Sequence, residues 1–370
     1  MVPDRELEGR STAADPLGMR ASVRRMTLNP TWSVSIEELE AFNLPGDGET
    51  LDSGCLSDLY ALRRPSSPKP FWVVLDYEGL RDEDVAEWVG LVEDMRPPGL
   101  AFREMKRVTG KIVPALRKLD GLEALDVRES SWKDEDVARL RELPTLTRAY
   151  FWNRSGKITD RSLAYVAEMP WLKTLFVWEG KVTNAGVAHL ERLRDLEYLD
   201  LSGRGSTRCT GDALRSLRGA HQLKGLGVGQ WALGDGDLEV LRSFPDLEYL
   251  DVSARAMGRT FLTDEGLHPL ATLTGLRHLE LAHHPLSDDG LRALEGLVDL
   301  VDLDLTDTGI TDSGLARLTP LTELRELKVR ETGVTVDGLL KAFSKSPSFT
   351  EMSFTTNAGD AAGRDLANLR

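Results

Sequence analysis

The chain has 370 residues, 41% of them hydrophobic, and a formal net charge of −14 at pH 7. This acidic balance argues against general nucleic-acid binding, which needs a net basic surface. No apolar run approaches the roughly 18 residues of a membrane span, and the N-terminus lacks the apolar stretch of a secretory signal. The two cysteines, Cys55 and Cys209, are too few for a disulfide framework. We therefore expect a cytoplasmic protein without a membrane-spanning segment.

The first 70 residues differ from the rest of the chain. Residues 1–30 mix proline, glycine, serine, arginine and glutamate without a period, which predicts a disordered lead-in. Residues 31–70 are expected to form an N-terminal cap, because the first unit of a repeat array needs shielding. Within this cap Ser35 and Glu38 have the spacing of a capping box and predict a short helix that continues to Phe42.

The motif Leu-x-x-Leu-x-Leu/Val recurs along residues 71–357. Consecutive clean copies start 24 to 29 residues apart, and a fixed period in this range predicts a solenoid. The clean copies start at Leu172, Leu196, Leu223, Leu247, Leu276, Leu300 and Leu324, and less regular copies start at Trp72, Phe102, Leu122, Leu146 and Phe349. The remaining residues, 358–370, are predicted to form a C-terminal tail or cap.

Within each unit the apolar period changes part-way along. The Leu-x-Leu portion alternates, which predicts a strand, and the following block places Leu315, Leu318 and Leu321 at helical spacing. Between them, Thr311-Asp312 and its counterparts place a hydroxyl at the expected helix N-cap and a carboxylate in the positive first turn. The units therefore predict an α/β solenoid with parallel strands on the concave face and short helices on the convex face.

The segment from Leu300 to Leu318, Leu-x-x-Leu-x-Leu-x-x-Thr-x-Ile-Thr-Asp-x-Gly-Leu-x-x-Leu, resembles the leucine-rich repeat family with bacterial-type repeats. The resemblance covers about residues 70–357 and implies a curved horseshoe. It is specific for fold rather than function, since other members serve as receptors, adaptors, effectors and regulatory subunits. The asparagine that usually follows the strand is replaced by Thr308 and Thr332 in two units and is absent from several others, so the asparagine ladder is incomplete.

Residues that alternate with the strand leucines are expected to point to the concave face. Several of these positions hold large aromatic residues. Since the concave face is expected to be exposed to solvent, we interpret these aromatic residues as binding anchors: Tyr150, Trp152, Phe176, Trp178, Tyr198 and Tyr249. Between Tyr198 and Tyr249, the residues Gly225, Gly227 and Gly229 would leave about 10 Å of bare sheet. This gap is a candidate slot for a side chain or a flat ligand. The alternative is that the rings merely pack on each other.

Charged residues extend the candidate site. Asp200, Asp251, His278 and Glu280 continue the lining of the concave face, and the three carboxylates would pair with basic groups. Alternate units also carry longer loops after the strand, which place Arg204, Arg208, Arg255 and Arg259 on one rim. This rim would dock an acidic partner, or the loops are simply solvated.

Other chemical signals in the sequence are weak. His278, Glu280, His283 and His284 are close together but match no metal-ligand spacing, so we expect no metal and no cofactor. Cys209 stands in a slot that other units fill with Ile, Val or Leu, which predicts a buried reduced thiol. No nucleophile, base and orienting group can be assembled from spacing, so nothing supports an enzyme.

Three functional hypotheses follow from these patterns. The first is a non-enzymatic recognition scaffold that binds a protein or peptide across the concave strands of residues 146–281. The second is a small-molecule or nucleotide sensor that uses the Tyr198/Tyr249 slot and the basic rim. The third is a structural subunit of a larger assembly.

Overall fold

The computed structural model describes residues 33–38, 71–76, 81–93, 98–103, 105–128, 130–152, 156–203, 208–254, 261–346, 353–356 and 359–362. In these ranges the strands are β1 (Ser33–Glu38), β2 (Phe71–Asp76), β3 (Gly99–Arg103), β4 (Ala124–Asp126), β5 (Arg148–Trp152), β6 (Thr174–Trp178), β7 (Tyr198–Asp200), β8 (Gly225–Gly227), β9 (Tyr249–Asp251), β10 (His278–Glu280), β11 (Asp302–Asp304), β12 (Glu326–Lys328), β13 (Ser353–Thr356) and β14 (Gly359–Ala362).

These strands form one open sheet in chain order. Strands β2 to β13 are parallel, and β1 and β14 each pair antiparallel with their neighbour at the two edges. Every strand between the edges lies beside the next one in sequence, so each unit contacts the units before and after it. The predicted α/β solenoid is confirmed.

Short helices connect consecutive strands. The α-helices are Asp82–Val92, Val113–Leu116, Asp134–Val137, Asp160–Val166, Asn184–Ala188, Gly211–Ser216 and Val336–Phe343, and the 3-10 helices are Gly110–Ile112, Ala138–Glu142, His189–Arg192, Leu217–Gly219, Asp235–Ser243, Asp264–Thr272, Gly290–Leu294 and Gly314–Arg317. None of the helices in the described ranges combines the length and the apolar character needed to cross a membrane.

The core runs along the whole array between the strands and the helices. Leu199, Leu226 and Leu250, in successive strands, are fully buried, as are Leu214 and Leu238 from the helices opposite them. These residues belong to one cluster that extends from Val85 to Phe343. The core therefore lengthens with each added unit rather than thickening.

The Thr-Asp-x-Gly segments join neighbouring units. The carboxylate of Asp160 accepts hydrogen bonds from the backbone and the hydroxyl of Thr183, both at 2.7 Å, while the Thr183 hydroxyl caps its own helix. A Cβ atom on Gly186 would lie 2.2 Å from Asp160 Oδ1, so the glycine makes room for this carboxylate. The predicted threonine N-cap is confirmed here. The aspartate, expected only to favour the helix dipole, also links two units.

The N-terminal edge of the sheet differs from the sequence prediction. Ser33–Glu38 is strand β1, so the helix predicted from Ser35 is wrong. Val34 and Ile36 alternate with polar residues, and this strand period prevails over the capping-box spacing once β2 offers a partner. The predicted lead-in and most of the predicted cap lie outside the described residues.

Three irregular motif copies have another register than the predicted one. In the motif Leu-x-x-Leu-x-Leu, the second Leu position of these units was predicted to be Leu75, Met105 and Met352. Cross-strand pairing shows that Val73, Leu100 and Phe354 occupy it instead. These units offer apolar residues in more than one register, and the ladder with the neighbouring strand selects between them. At the C-terminal end, β14 continues the sheet past residue 357.

Candidate binding face on the concave sheet

Cross-strand pairing sets the outward side chains of β4 to β12 in two rows, which we call the concave face. Row one contains Ala124, Arg148, Thr174, Tyr198, Gly225, Tyr249, His278, Asp302 and Glu326. Row two contains Asp126, Tyr150, Phe176, Asp200, Gly227, Asp251, Glu280, Asp304 and Lys328. The predicted columns are therefore confirmed as neighbours in space, although Arg148 and Thr174 were not among the predicted site residues.

Four of the six predicted aromatic anchors are buried. Tyr150, Phe176 and Tyr249 are each 3% exposed and Tyr198 is 5% exposed, so the expectation that these rings lie on a wet surface is wrong. Tyr150 and Phe176 stack with ring centroids 5.0 Å apart. For this pair, ring-on-ring packing is the better interpretation.

The two tryptophans of the set are half-buried at the ends of their strands. Trp152 and Trp178 meet edge to face, with ring centroids 6.0 Å apart and planes at 88°. Parallel pairing of β5 with β6 sets these residues opposite each other. They are the part of the aromatic cluster that solvent can still reach.

The predicted slot over the glycine strand is filled by carboxylates. A Cβ atom on Gly227 would lie 2.5 Å from Asp200 Cγ, and one on Gly229 would lie 2.3 Å from Asp251 Oδ2. Tyr198, Gly225 and Tyr249 pair as predicted. The predicted bare floor is wrong, because neighbouring side chains cover the glycines that follow Gly225. The glycines leave space that the neighbouring aspartates occupy.

An Asp-x-Ser/Thr pattern, missed in the sequence, fixes these carboxylates. Asp200 accepts a hydrogen bond from the backbone N–H of Ser202 at 2.8 Å, and Asp251 accepts one from Ser253 at 2.8 Å. The Ser202 hydroxyl accepts from the backbone of Gly229 and donates to Asp251 Oδ2 at 3.2 Å. Both carboxylates therefore have hydrogen-bond donors inside the protein, Asp200 within its own turn and Asp251 within its own turn and from Ser202. The recurrence of serine or threonine two residues after the aspartate could have indicated this turn in the sequence.

Burial disfavours the ionised form of these groups. It raises the pKa of Asp200, against the opposing hydrogen bonds from Ser202. Burial, reinforced by the charge of Asp200, raises the pKa of Asp251 to about 7. Burial, together with the charge of Asp251, raises the pKa of Glu280 well above its ordinary value.

The C-terminal part of the concave face is more open. The outward residues of β10, β11 and β12 are all half-buried: His278, Glu280, Asp302, Asp304, Glu326 and Lys328. His278 contacts the Asp302 carboxylate, and Lys328 Nζ lies 3.8 Å from Glu326 and 3.9 Å from Asp304. Four carboxylates against one lysine leave this part of the face acidic.

The predicted basic rim is only partly described. Arg208 is exposed, whereas Arg204, Arg255 and Arg259 lie outside the described residues. The thiol of Cys209 is buried, and burial raises its pKa to about 12, so the predicted buried thiol is confirmed. Among the residues that the structure describes, no group of three or more His, Cys, Asp or Glu side chains could hold a metal ion.

Ring nitrogens replace the ladder asparagine in two units. His284 Nε2 donates to the Val252 carbonyl of the preceding unit at 2.8 Å, and its Nδ1 accepts from the backbone of Leu262. The Trp231 indole donates to the Leu201 carbonyl at 3.3 Å. Both residues stand in the motif position of Thr308, so aligning the units could have identified their role. His284 is a structural residue rather than part of a metal site.

Comparisons with known proteins concern the repeat unit and the fold. The family model described as "Leucine Rich repeat" matches residues 273–294 and 299–318. The chain is similar to an internalin C2 from Listeria monocytogenes, at 20% identity and a TM-score of 0.40, covering 56% of this chain and 78% of that one. It is also similar to an internalin F from the same organism, at 17% identity and a TM-score of 0.47, covering 77% and 86%. No curated protein matches the chain.

Family model and architecture agree on the repeat. The two matched segments hold successive units whose strands are β10 and β11, and the same strand, Thr-Asp turn and outer helix occur in units on either side of them. The chain is a leucine-rich repeat protein.

Proposed function

We propose that this protein is a non-enzymatic scaffold that binds a protein or peptide partner through its concave face. The observation that carries the proposal is the open acidic part of that face, where three successive strands present half-buried charged side chains to solvent. A leucine-rich repeat array supports protein interaction in general, because its parallel strands offer an extended and regular surface.

The chemistry of this surface favours a basic partner segment. Asp302, Asp304 and Glu326 lie on neighbouring strands, so lysine or arginine side chains of a bound segment could meet carboxylates at successive strand spacings of about 4.8 Å. Complementary charge mainly speeds association and sets specificity. The half-buried pair Trp152 and Trp178 would supply an apolar anchor further along the same face.

The nucleotide-sensor hypothesis loses the feature on which it rested. The carboxyl groups of Asp200 and Asp251 lie over Gly227 and Gly229, beside the slot between Tyr198 and Tyr249, so a phosphate group would meet acidic side chains there. Of the arginines on the rim that this hypothesis also uses, at positions 204, 208, 255 and 259, only Arg208 lies in the described residues.

A charge-reversal comparison tests the proposal. Proteins captured from a lysate of the source cells by the immobilised wild-type chain are compared with those captured by Asp304→Lys and by Asp299→Lys. Asp299 is exposed, precedes the strand of the same unit and lies outside both rows, so it is a matched control for the charge change. We expect the captured partner to be lost with Asp304→Lys and retained with Asp299→Lys. Equal capture by all three chains would contradict the proposal.

A further inference from the structure

Strands β7, β8 and β9 bring two buried carboxyl groups to one place on the concave face. Asp200 and Asp251 are 1% and 4% exposed and flank the glycine strand from opposite sides. Their side chains lean over Gly227 and Gly229, respectively, so one lies above the end of β8 and the other above the turn that follows it. Ser202 joins them, because its backbone N–H donates to Asp200 and its hydroxyl donates to Asp251.

The charged groups around this pair do not neutralise it. On the side of β10 to β12, the neighbours in row two are Glu280, Asp304 and Lys328, and those in row one are His278, Asp302 and Glu326. The lysine lies close to Asp304 and Glu326, and His278 contacts Asp302. On the other side, β5 and β6 present the rings of Tyr150, Phe176, Trp152 and Trp178. The cations on that side have partners of their own, since Arg148 of β5 binds Glu123 and Arg128 binds Asp126, each at 2.7 Å.

Two ionised carboxylates in such a site are unfavourable for two reasons. Each loses hydration that one or two hydrogen bonds do not replace, and each repels the other across β8 in a medium of low dielectric. Binding one proton removes both costs at once. When two acids interact this strongly, the proton belongs to the pair rather than to either residue.

We propose that Asp200, Ser202 and Asp251 form a proton-binding site that holds one proton at neutral pH and whose deprotonation loosens the centre of the concave face. Loss of the proton leaves two like charges over β8, and the carboxylates relieve their repulsion by moving off the glycines toward water. Tyr198 and Tyr249 lie beside them in row one, so the movement uncovers rings that are buried in the protonated state.

The direction of the effect follows from proton linkage. The folded protein binds this proton more tightly than the unfolded chain does, so the site stabilises the fold at low pH. That contribution is lost as the pH rises through the folded-state pKa of the pair. Through this site, the stability of the wild-type chain should therefore decline as the pH rises from the ordinary aspartate pKa near 4 to the folded-state pKa of about 7 for Asp251, and should stay level above it.

A titration of the wild-type chain provides the first test. Aspartate side-chain carboxyl resonances are followed by ¹³C NMR from pH 4 to pH 9. We expect one transition near neutral pH that is absent from the spectrum of Asp251→Asn. If every aspartate of the wild-type chain titrates below pH 5, the proposal is wrong, whether or not the variant folds.

Thermal unfolding provides the second test. The melting temperature of Asp251→Asn minus that of wild type should increase by several degrees between pH 5.5 and pH 8.5, because the amide never carries the buried charge. Asp304→Asn is the matched control, since Asp304 makes the same turn with Thr306 but is half-buried, and its difference from wild type should stay constant. A pH-independent loss of stability in Asp251→Asn would overturn the proposal, because it would indicate a carboxylate that is charged throughout.

Discussion

His284 shows how a single ring can replace the ladder asparagine of this family. Its two nitrogens have opposite roles, since Nε2 donates to Val252 and Nδ1 accepts from Leu262. A neutral imidazole has one donor and one acceptor, which matches these partners, whereas imidazolium has two donors. Burial is the main reason that the pKa of His284 falls to about 4. The residue therefore stabilises the fold only while it remains neutral.

Acidification should weaken the fold through His284. The unfolded chain binds the proton with an ordinary pKa near 6.5 and the folded chain with a pKa of about 4, so stability falls as the pH drops through this interval. Between pH 7 and pH 5 the loss at this site is about 2 kcal/mol. Urea unfolding of the wild type and of His284→Asn at both pH values measures it. The variant should lack this part of the loss, and identical pH dependence of the two chains would contradict the assignment.

At the scale of elements, the link between units is the Asp–Thr contact. It recurs from Asp82–Thr109 to Asp312–Thr335, with Ser287 in place of the threonine beside Asp264. In one unit an amide replaces the carboxylate, and Asn184 is bonded to Thr210 through both its oxygen and its nitrogen at 2.9 Å. The contact therefore depends on a short planar polar group and not on a negative charge.

Replacing Asp288 separates the hydrogen bonds from the charge. Asp288→Ala removes two bonds of 2.7 Å to Thr311 and should lower the free energy of unfolding by about 2 kcal/mol. Asp288→Asn retains the pairing seen at Asn184 and should cost less than half of that. Chemical denaturation of both variants at one pH gives the comparison. Equal losses in the two variants would show that the charge, not the shape, is required.

The repeat made the strands and their rows predictable, because the period of two assigns each strand residue to the core or to the outward face. The threonine caps were predictable for the same reason, since Thr183 and its counterparts recur at one place in the unit. The burial of Tyr198 and Tyr249 was not predictable from the sequence, because burial depends on the neighbours of each outward side chain and not only on the direction in which that side chain points. The position of the Asp200 side chain over Gly227 was not predictable either. A glycine in the repeat shows that a side chain is missing, but it does not show which neighbouring side chain occupies the space.

At the scale of the whole molecule, the concave face has two distinct parts. From β5 to β9 it is closely packed, with buried rings and the Asp200–Asp251 pair, and from β10 to β12 it is half-open and acidic. The same repeat underlies both parts, so the difference comes from the outward residues and not from the scaffold. The proposed partner binding would therefore use the C-terminal strands, beside the packed part of the face.

Hydrogen–deuterium exchange with and without the captured partner is the most direct measurement of this account. It reports on every strand and helix of the wild-type chain at once, without a substitution that could disturb folding. Binding through the concave face predicts added protection in peptides that contain residues 278–280, 302–304 and 326–328, with the outer helices unchanged. Protection confined to the outer helices, such as Asp264–Thr272 and Gly290–Leu294, would contradict binding through the concave face.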